Sequence, residues 1–592
     1  MFSKKSLTIL YLTLLAPFIL ILIFLFRFQI LEGSKYSRIA EYNFVRVQTI
    51  FPTRGEIFDR HYRPIAVNYP STNLYILPAR IVNIANVASF ISDHLPITEE
   101  EVRELVHKNR FKNYQEILLF HNLSYEKVVE ISEQLDKYPS LYFKTENYRQ
   151  YTIENHFTGY VNRISREEYD KLKETDYTRN CLIGKTGLEK QYEPYLRGKT
   201  GHRIIQVDAN GRSFNLFTEN LDEEAVNGSD MILSVDLELQ EYIESIFPEG
   251  YNGAVLAMNP QNGEILSYVS RPNYDINRFA TGISQEYWTK LVEDSNHPML
   301  DRVATATYPP ASLFKTMFAI VALENHTIDP AEKPVYCTGS YKFGNRTFNC
   351  WLERGHGRLD MAEAIKHSCN VYFYEVSQML ELDKIADFMY SNNILARTNI
   401  DLPSERSGFY PTTEWYAKQH GTKALIPGHK INLSIGQGEV LMTPLQVGVF
   451  YSAIANGGRL VRPHFFSSFI DATYPDLSFE EDNGRLNISG KTLDFIQDSL
   501  YRGVNEAGGT SGAARLYGAR VSGKTGTAQN PMGKNPHTWF AGYASWENEP
   551  ELTIIIFIES YPGTGGSTAA PLAGKILKFY QDEVRTIPLT RR

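Results

Sequence analysis

Hydrophobic positions dominate the start of the chain. Lys4 and Lys5 are followed by residues 6–26 without a charge, close to the roughly 20 residues that cross a hydrocarbon core. A cleaved signal peptide would have a shorter apolar region and a small-residue site after it. Here the chain runs on into Arg27-Phe28-Gln29-Ile30-Leu31. The pattern predicts an uncleaved anchor over residues 1–27, with the lysines inside and the remaining chain outside. Residues 28–228 read as a non-catalytic pedestal, within which 76–145 alternate short apolar strands with polar helices at 99–106 and 125–135. A turn cluster, Asn227-Gly228-Ser229-Asp230, introduces a larger α/β pattern over 229–592. Segments 254–258 and 265–270 predict a hairpin, 552–558 a strongly β-branched strand and 572–579 a closing helix. Strands from both ends of this region are expected to share one antiparallel sheet with helices packed on it, an α/β (α+β) fold.

One apolar stretch has no polar face. Tyr308-Pro309-Pro310-Ala311-Ser312-Leu313-Phe314-Lys315 leads into the run 316–323. Two prolines suit the approach to a helix and its first turn, and the run behind them predicts a buried helix. Ser312 falls at its N-terminus, where unpaired N–H groups favour developing negative charge. Lys315 lies three residues on, on the same face, and can reach the Ser312 hydroxyl. A desolvated lysine has a lowered pKa and can take the proton of a serine.

Composition narrows the classes. At 592 residues several domains are expected, and a net charge of −8 gives no basic footprint for nucleic acid. The Ser-x-x-Lys pattern recurs at Ser124-Tyr125-Glu126-Lys127, inside a polar amphipathic stretch that reads as a solvated helix face. Only Ser312 is followed by Ser368-Cys369-Asn370 and then Lys524-Thr525-Gly526-Thr527. Two further Lys-Thr-Gly triplets, at Lys185 and Lys199, precede the serine in turn-rich sequence and read as structural. His537 follows the Lys524 segment; a place facing the cleft and a strand-end packing or hydrogen-bonding role are both open to it, and it is left out of the catalytic set.

The ordered trio, the anchor, the segment Arg54-Gly55-Glu56-Ile57-Phe58-Asp59-Arg60 and Gly436-Gln437-Gly438 resemble a class B penicillin-binding protein over nearly the whole chain. Ile283-Ser284 with Trp288 and Leu291, Gly355-His356-Gly357 and His537-Thr538-Trp539-Phe540 resemble its elongation branch. Ala311 departs from the glycine usual in the family. The resemblance implies a peptidoglycan D,D-transpeptidase that cross-links stem peptides through a Ser312 acyl-enzyme and is inhibited by β-lactams. It implies Lys315 as general base, Ser368 and Asn370 as proton relay, Lys524 and Thr525 as carboxylate binders, and an oxyanion hole from the Ser312 and Thr527 N–H groups. A division-specific transpeptidase and a β-lactam-sensing receptor are the alternatives. The expected partners are a SEDS-family membrane glycosyltransferase and other elongation-complex proteins at the cytoplasmic membrane.

Three of the four cysteines fall in one window with a histidine: Cys337, Cys350, His356 and Cys369. A Cys3His set has the ligand count and softness of a structural zinc site. A Cys337–Cys350 disulfide is the rival from the residues alone. The resemblance favours zinc, since some members of the elongation branch hold one between the glycine-flanked histidine and the middle residue of Ser-x-Asn. Cys181 is expected to be a lone thiol.

Overall fold

The computed structural model describes residues 4–34, 45–110, 116–178, 181–207, 213–214, 223–280, 282–421, 426–471, 477, 482–530 and 534–585. Among them, one helix near the N-terminus is long and apolar enough to cross a membrane. It runs Lys4–Phe26 with Pro17 inside, and continues as a wider turn over Arg27–Leu31.

The chain divides into two compact units. The first comprises Met1–Arg54, Arg166–Cys181 and Arg197–Gly228. Within it, Val45–Ile50 pairs antiparallel with Gly201–Val207, from Val45 opposite Gln206 to Ile50 opposite Gly201. Lys199-Thr200-Gly201 opens that strand, and an Arg197–Asp176 ion pair of 2.7 Å lies beside it.

The second unit comprises Gly55–Ser165, Leu182–Leu196 and Ser229–Arg592. One of its sheets is ordered Phe466–Phe469, Met231–Leu233, Ile57–Phe58, Pro64–Ile76 and Ile117–Phe120, with Leu141–Tyr151 also pairing Pro64–Ile76. The segment after Arg54 explains this join. A Cβ on Gly55 would meet the Ser229 carbonyl oxygen at 2.0 Å, so only glycine lets the two backbones approach. Asp59 is fully buried and accepts from the N–H groups of His61, Arg63 and Leu237 and from the Arg63 guanidinium.

The other sheet is five-stranded and antiparallel: Ile265–Arg271, Gly253–Met258, Glu549–Ile558, His537–Trp546 and Arg520–Ala528. Strands from both ends of the region do share it, as expected. Alternation along Gly253–Met258 sends Val255 and Ala257 to one core and Leu256 and Met258 to the other. Leu237–Ile246 and Ala569–Phe579 supply residues to the first core. The second holds Phe314–Glu324 and the wholly buried Pro444–Ala455, which starts from a Thr443–Gln446 capping box.

Candidate active site

Ser312 does not sit in the first turn of the long helix. It lies in a tight 3-10 turn, Ala311–Leu313, and the helix proper begins at Phe314. The turn is held from behind by Gly436, whose carbonyl accepts from the Ala311 N–H at 2.9 Å. Ala311 has a φ of +52°, a left-handed conformation that costs an L residue about 1–2 kcal/mol. It persists because the surroundings over-determine it. Its methyl faces Gly526; a Cβ on Gly526 would come within 3.2 Å of it. The family-atypical methyl is thus seated against a glycine of the Lys-Thr-Gly strand.

Lys315 is fully buried at the start of this helix. Its Nζ donates to the Ser368 carbonyl at 2.8 Å, the Ser368 Oγ at 3.2 Å and Asn370 Oδ1 at 2.7 Å. Three acceptors for three N–H bonds match an ammonium. Burial nevertheless brings its pKa down to about 8. The structure therefore unites Lys315 with Ser368 and Asn370; its hydrogen bonds go to that pair rather than to Ser312. Ser368, at φ +52°, forms the left-handed corner between helices Met361–Lys366 and Asn370–Met379. That corner turns its carbonyl and hydroxyl onto the lysine.

Lys524, Thr525, Gly526 and Thr527 lie on Arg520–Ala528, the edge strand of the five-stranded sheet, which abuts the Ser312 turn. Burial, and then the charge of Lys315, push the Lys524 pKa well below the ordinary lysine value. Its Nζ donates to the Thr525 carbonyl at 3.0 Å. Thr525 Oγ1 donates to Thr510 Oγ1 at 3.2 Å, and Thr527 Oγ1 accepts from the Gly565 N–H at 3.1 Å. Sequence reasoning missed Thr510; the turn-rich run Gly508-Gly509-Thr510-Ser511-Gly512 was the available signal. It also missed Glu559, which accepts from Tyr308 and Arg302 and fixes the approach to the serine turn.

His537 accepts from the Ser560 N–H through Nδ1 at 3.2 Å, a strand-end hydrogen bond. Ser124 caps the helix Tyr125–Ser132, with Lys127 paired to Glu130 on its solvent side. Lys185-Thr186-Gly187 makes a turn whose glycine backs onto Phe157–Gly159.

The four predicted ligands converge. One ligand atom each from Cys337, Cys350, His356 and Cys369 lies within 4.8 Å of all the others, and all four cysteines of the chain are free thiols. A disulfide between Cys337 and Cys350 is not formed. His356 Nδ1 is 3.7 Å from Cys337 Sγ and 3.5 Å from Cys350 Sγ. Zinc–sulfur and zinc–nitrogen bonds of ordinary length give a tetrahedron with nitrogen–sulfur edges of about 3.6 Å, so the donor set fits. The thiol of Cys369, and then His356, hold the Cys350 thiol well below the usual range, suiting it to be a thiolate ligand. Gly355 and Gly357, both at positive φ, let the chain double back at His356; a Cβ on Gly355 would meet the Cys337 carbonyl at 2.1 Å.

A buried lysine between two serine motifs, facing an edge strand with a second buried lysine, defines a serine acyltransferase centre. Comparison with known proteins agrees. Residues 253–578 match the penicillin-binding protein transpeptidase domain, and residues 49–233 the penicillin-binding protein dimerisation domain. The chain belongs to the class B penicillin-binding proteins and is a serine-type peptidoglycan D,D-transpeptidase. It is 29% identical to the peptidoglycan D,D-transpeptidase MrdA of Haemophilus influenzae, over 94% of this chain and 89% of the relative. Among solved structures it is similar to penicillin-binding protein PBP2 of Helicobacter pylori in complex with MreC. That match has a TM-score of 0.76 and 28% identity, and covers 90% of this chain and 99% of the other. A chain of a peptidoglycan synthase complex described as coordinating polymerization and crosslinking matches with a TM-score of 0.70 and 26% identity, over 98% of each chain.

Proposed function

We propose that Ser312 cross-links peptidoglycan stem peptides during cell elongation, with Lys315 as its general base. The observation that carries this is the Lys315 ammonium, buried and held by Ser368 and Asn370 beside the serine turn. Neutral Lys315 accepts the hydroxyl proton as Ser312 Oγ adds to the penultimate D-alanyl carbonyl of the donor stem. The tetrahedral oxyanion is received by the N–H groups of Ser312 and Thr527. Collapse breaks the peptide bond, and the proton passes through Ser368 to the departing D-alanine. A neighbouring stem amine then attacks the ester, gives up a proton along the same route and releases Ser312. Lys524 and Thr525 hold the terminal carboxylate, and the donor stem lies extended along the edge strand. A β-lactam enters by the same first step and leaves a long-lived ester.

Cys337, Cys350, His356 and Cys369 would hold one structural zinc. It would tie the 337–356 excursion to the residue between Ser368 and Asn370, supplying rigidity and no chemistry. Metal analysis of the purified chain should find about one zinc more in the wild type than in Cys369→Ala, the loss accompanied by lower thermal stability. Absence of zinc from the reduced wild type would remove the site.

The apolar N-terminal helix would anchor the chain in the cytoplasmic membrane, with the chain from residue 28 onward on the outer side. A SEDS-family glycosyltransferase is the proposed partner; the similarity to a synthase complex supports it, as the relative bound to MreC supports a wider elongation assembly. Ser312→Ala should abolish covalent labelling by fluorescent penicillin and formation of cross-linked muropeptides, leaving fold and any partner-driven polymerisation intact. Labelling retained at wild-type level by Ser312→Ala would refute the assignment.

A further inference from the structure

We propose that His420, His429 and Glu439 form a second metal site, open to solvent, that takes one divalent ion of zinc type. One donor atom from each residue lies within 4.8 Å of the other two. Three elements bring them together. The helix Thr413–His420 stops at Gly421, which is left-handed at φ +67°, and so leaves His420 as its last residue. The helix Ile426–Ser434 carries His429. Glu439 follows Gly438, whose φ of +88° turns the chain back toward both.

The imidazoles are held on one platform. The Tyr416 ring is buried, with its centroid 5.7 Å from that of His420 and 4.6 Å from that of His429. Tyr416 also donates through its hydroxyl to Glu439 Oε2 at 2.7 Å. This leaves Oε1 facing His429 Nδ1 at 3.3 Å, close to the edge of about 3.3 Å that tetrahedral zinc with nitrogen and oxygen ligands requires. A tyrosine that orients a ligating carboxylate is the outer-shell support such sites use. An isolated His429–Glu439 ion pair would explain neither the approach of the His420 nitrogen nor the shared ring platform. Two imidazoles and one carboxylate favour zinc, nickel or copper over magnesium and calcium, which prefer oxygen alone. Because His420 is exposed and the other two ligands are half-buried, a fourth position stays open to water or to a partner's side chain. Gly436, which accepts from the Ala311 N–H, lies three residues before Glu439 in the chain.

The test uses the full chain in detergent, titrated with zinc(II) against a chromophoric competitor. Wild type should take up one equivalent more than His420→Ala or His429→Ala, each of which should bind it at least tenfold more weakly. Cobalt(II) in this site should show visible bands without the intense sulfur-to-metal charge transfer of a thiolate site, which separates it from the cysteine cluster whether or not that cluster is loaded. His420 is exposed, so its replacement leaves the fold intact and the comparison readable. Equal zinc uptake by wild type and both variants, or a thiolate band accompanying the extra equivalent, would overturn the proposal.

Discussion

Replacing Lys315 with methionine should slow acylation of Ser312 by penicillin about 10²–10⁴-fold, the range for losing a positioned general base. Methionine fills the same buried volume, so the protein should remain folded and the loss should appear in the acylation rate rather than in binding. The wild-type rate should depend on pH in a defined sense. With a pKa of about 8 against an ordinary 10.5, only a minor fraction of Lys315 is neutral at pH 7. Acylation should therefore climb about tenfold per pH unit below 8 and level off above it, and the methionine variant should lose this dependence. Stability follows the same group. The cost of burying the ammonium is present in full below pH 8 and is relieved as pH rises from 8 toward 10.5, where the unfolded chain still binds the proton. Stopped-flow acylation across pH 6–10 checks the rate, and thermal denaturation over the same range checks the stability; a flat wild-type acylation profile would contradict Lys315 as base.

Gly436→Ala should damage the fold and the serine turn together. A Cβ there would lie 2.1 Å from the Ala311 carbonyl oxygen and 2.7 Å from the Phe314 Cβ. Residue 436 is also left-handed at φ +70°. The conformational cost of about 1–2 kcal/mol adds to about 1–3 kcal/mol of overpacking. The melting midpoint should fall by several degrees, and acylation should drop further than stability alone accounts for, because the turn carrying Ser312 is what must move. Thermal denaturation and penicillin labelling measured together on the soluble variant would show this. Near wild-type labelling would mean that Gly436 does not set the turn.

The motif trio was legible because each member is a local residue pattern whose partners the fold is obliged to supply. The turn residues 259–263 between two apolar runs showed the hairpin of 254–258 and 265–270, and β-branching showed 552–558. What the sequence could not show was long-range geometry. Lys315 was expected to serve Ser312 directly, yet its hydrogen bonds run to Ser368 and Asn370, residues brought in by a left-handed corner that serine rarely adopts. The same holds for Ala311. Nothing in the local sequence announces a positive φ at an alanine whose close neighbours, Gly436 and Gly526, lie far along the chain. Thr510 and Glu559 reach the site from loops and strand ends whose partners lie far along the chain.

The pairing of Gly253–Met258 with Glu549–Ile558 also governs when the enzyme comes to life. These strands are neighbours in the sheet but about 300 residues apart in the chain, a separation that makes for slow, late assembly. At a synthesis rate of about 5–20 residues per second, the first strand waits roughly 15–60 s for its partner. Throughout that interval the apolar faces meant for two cores have nothing to close against, and the serine turn has no Lys-Thr-Gly strand beside it. A nascent chain is thus without activity and in need of a holdase until nearly its last residues emerge. Premature termination anywhere before Glu549 discards the whole catalytic unit rather than trimming it.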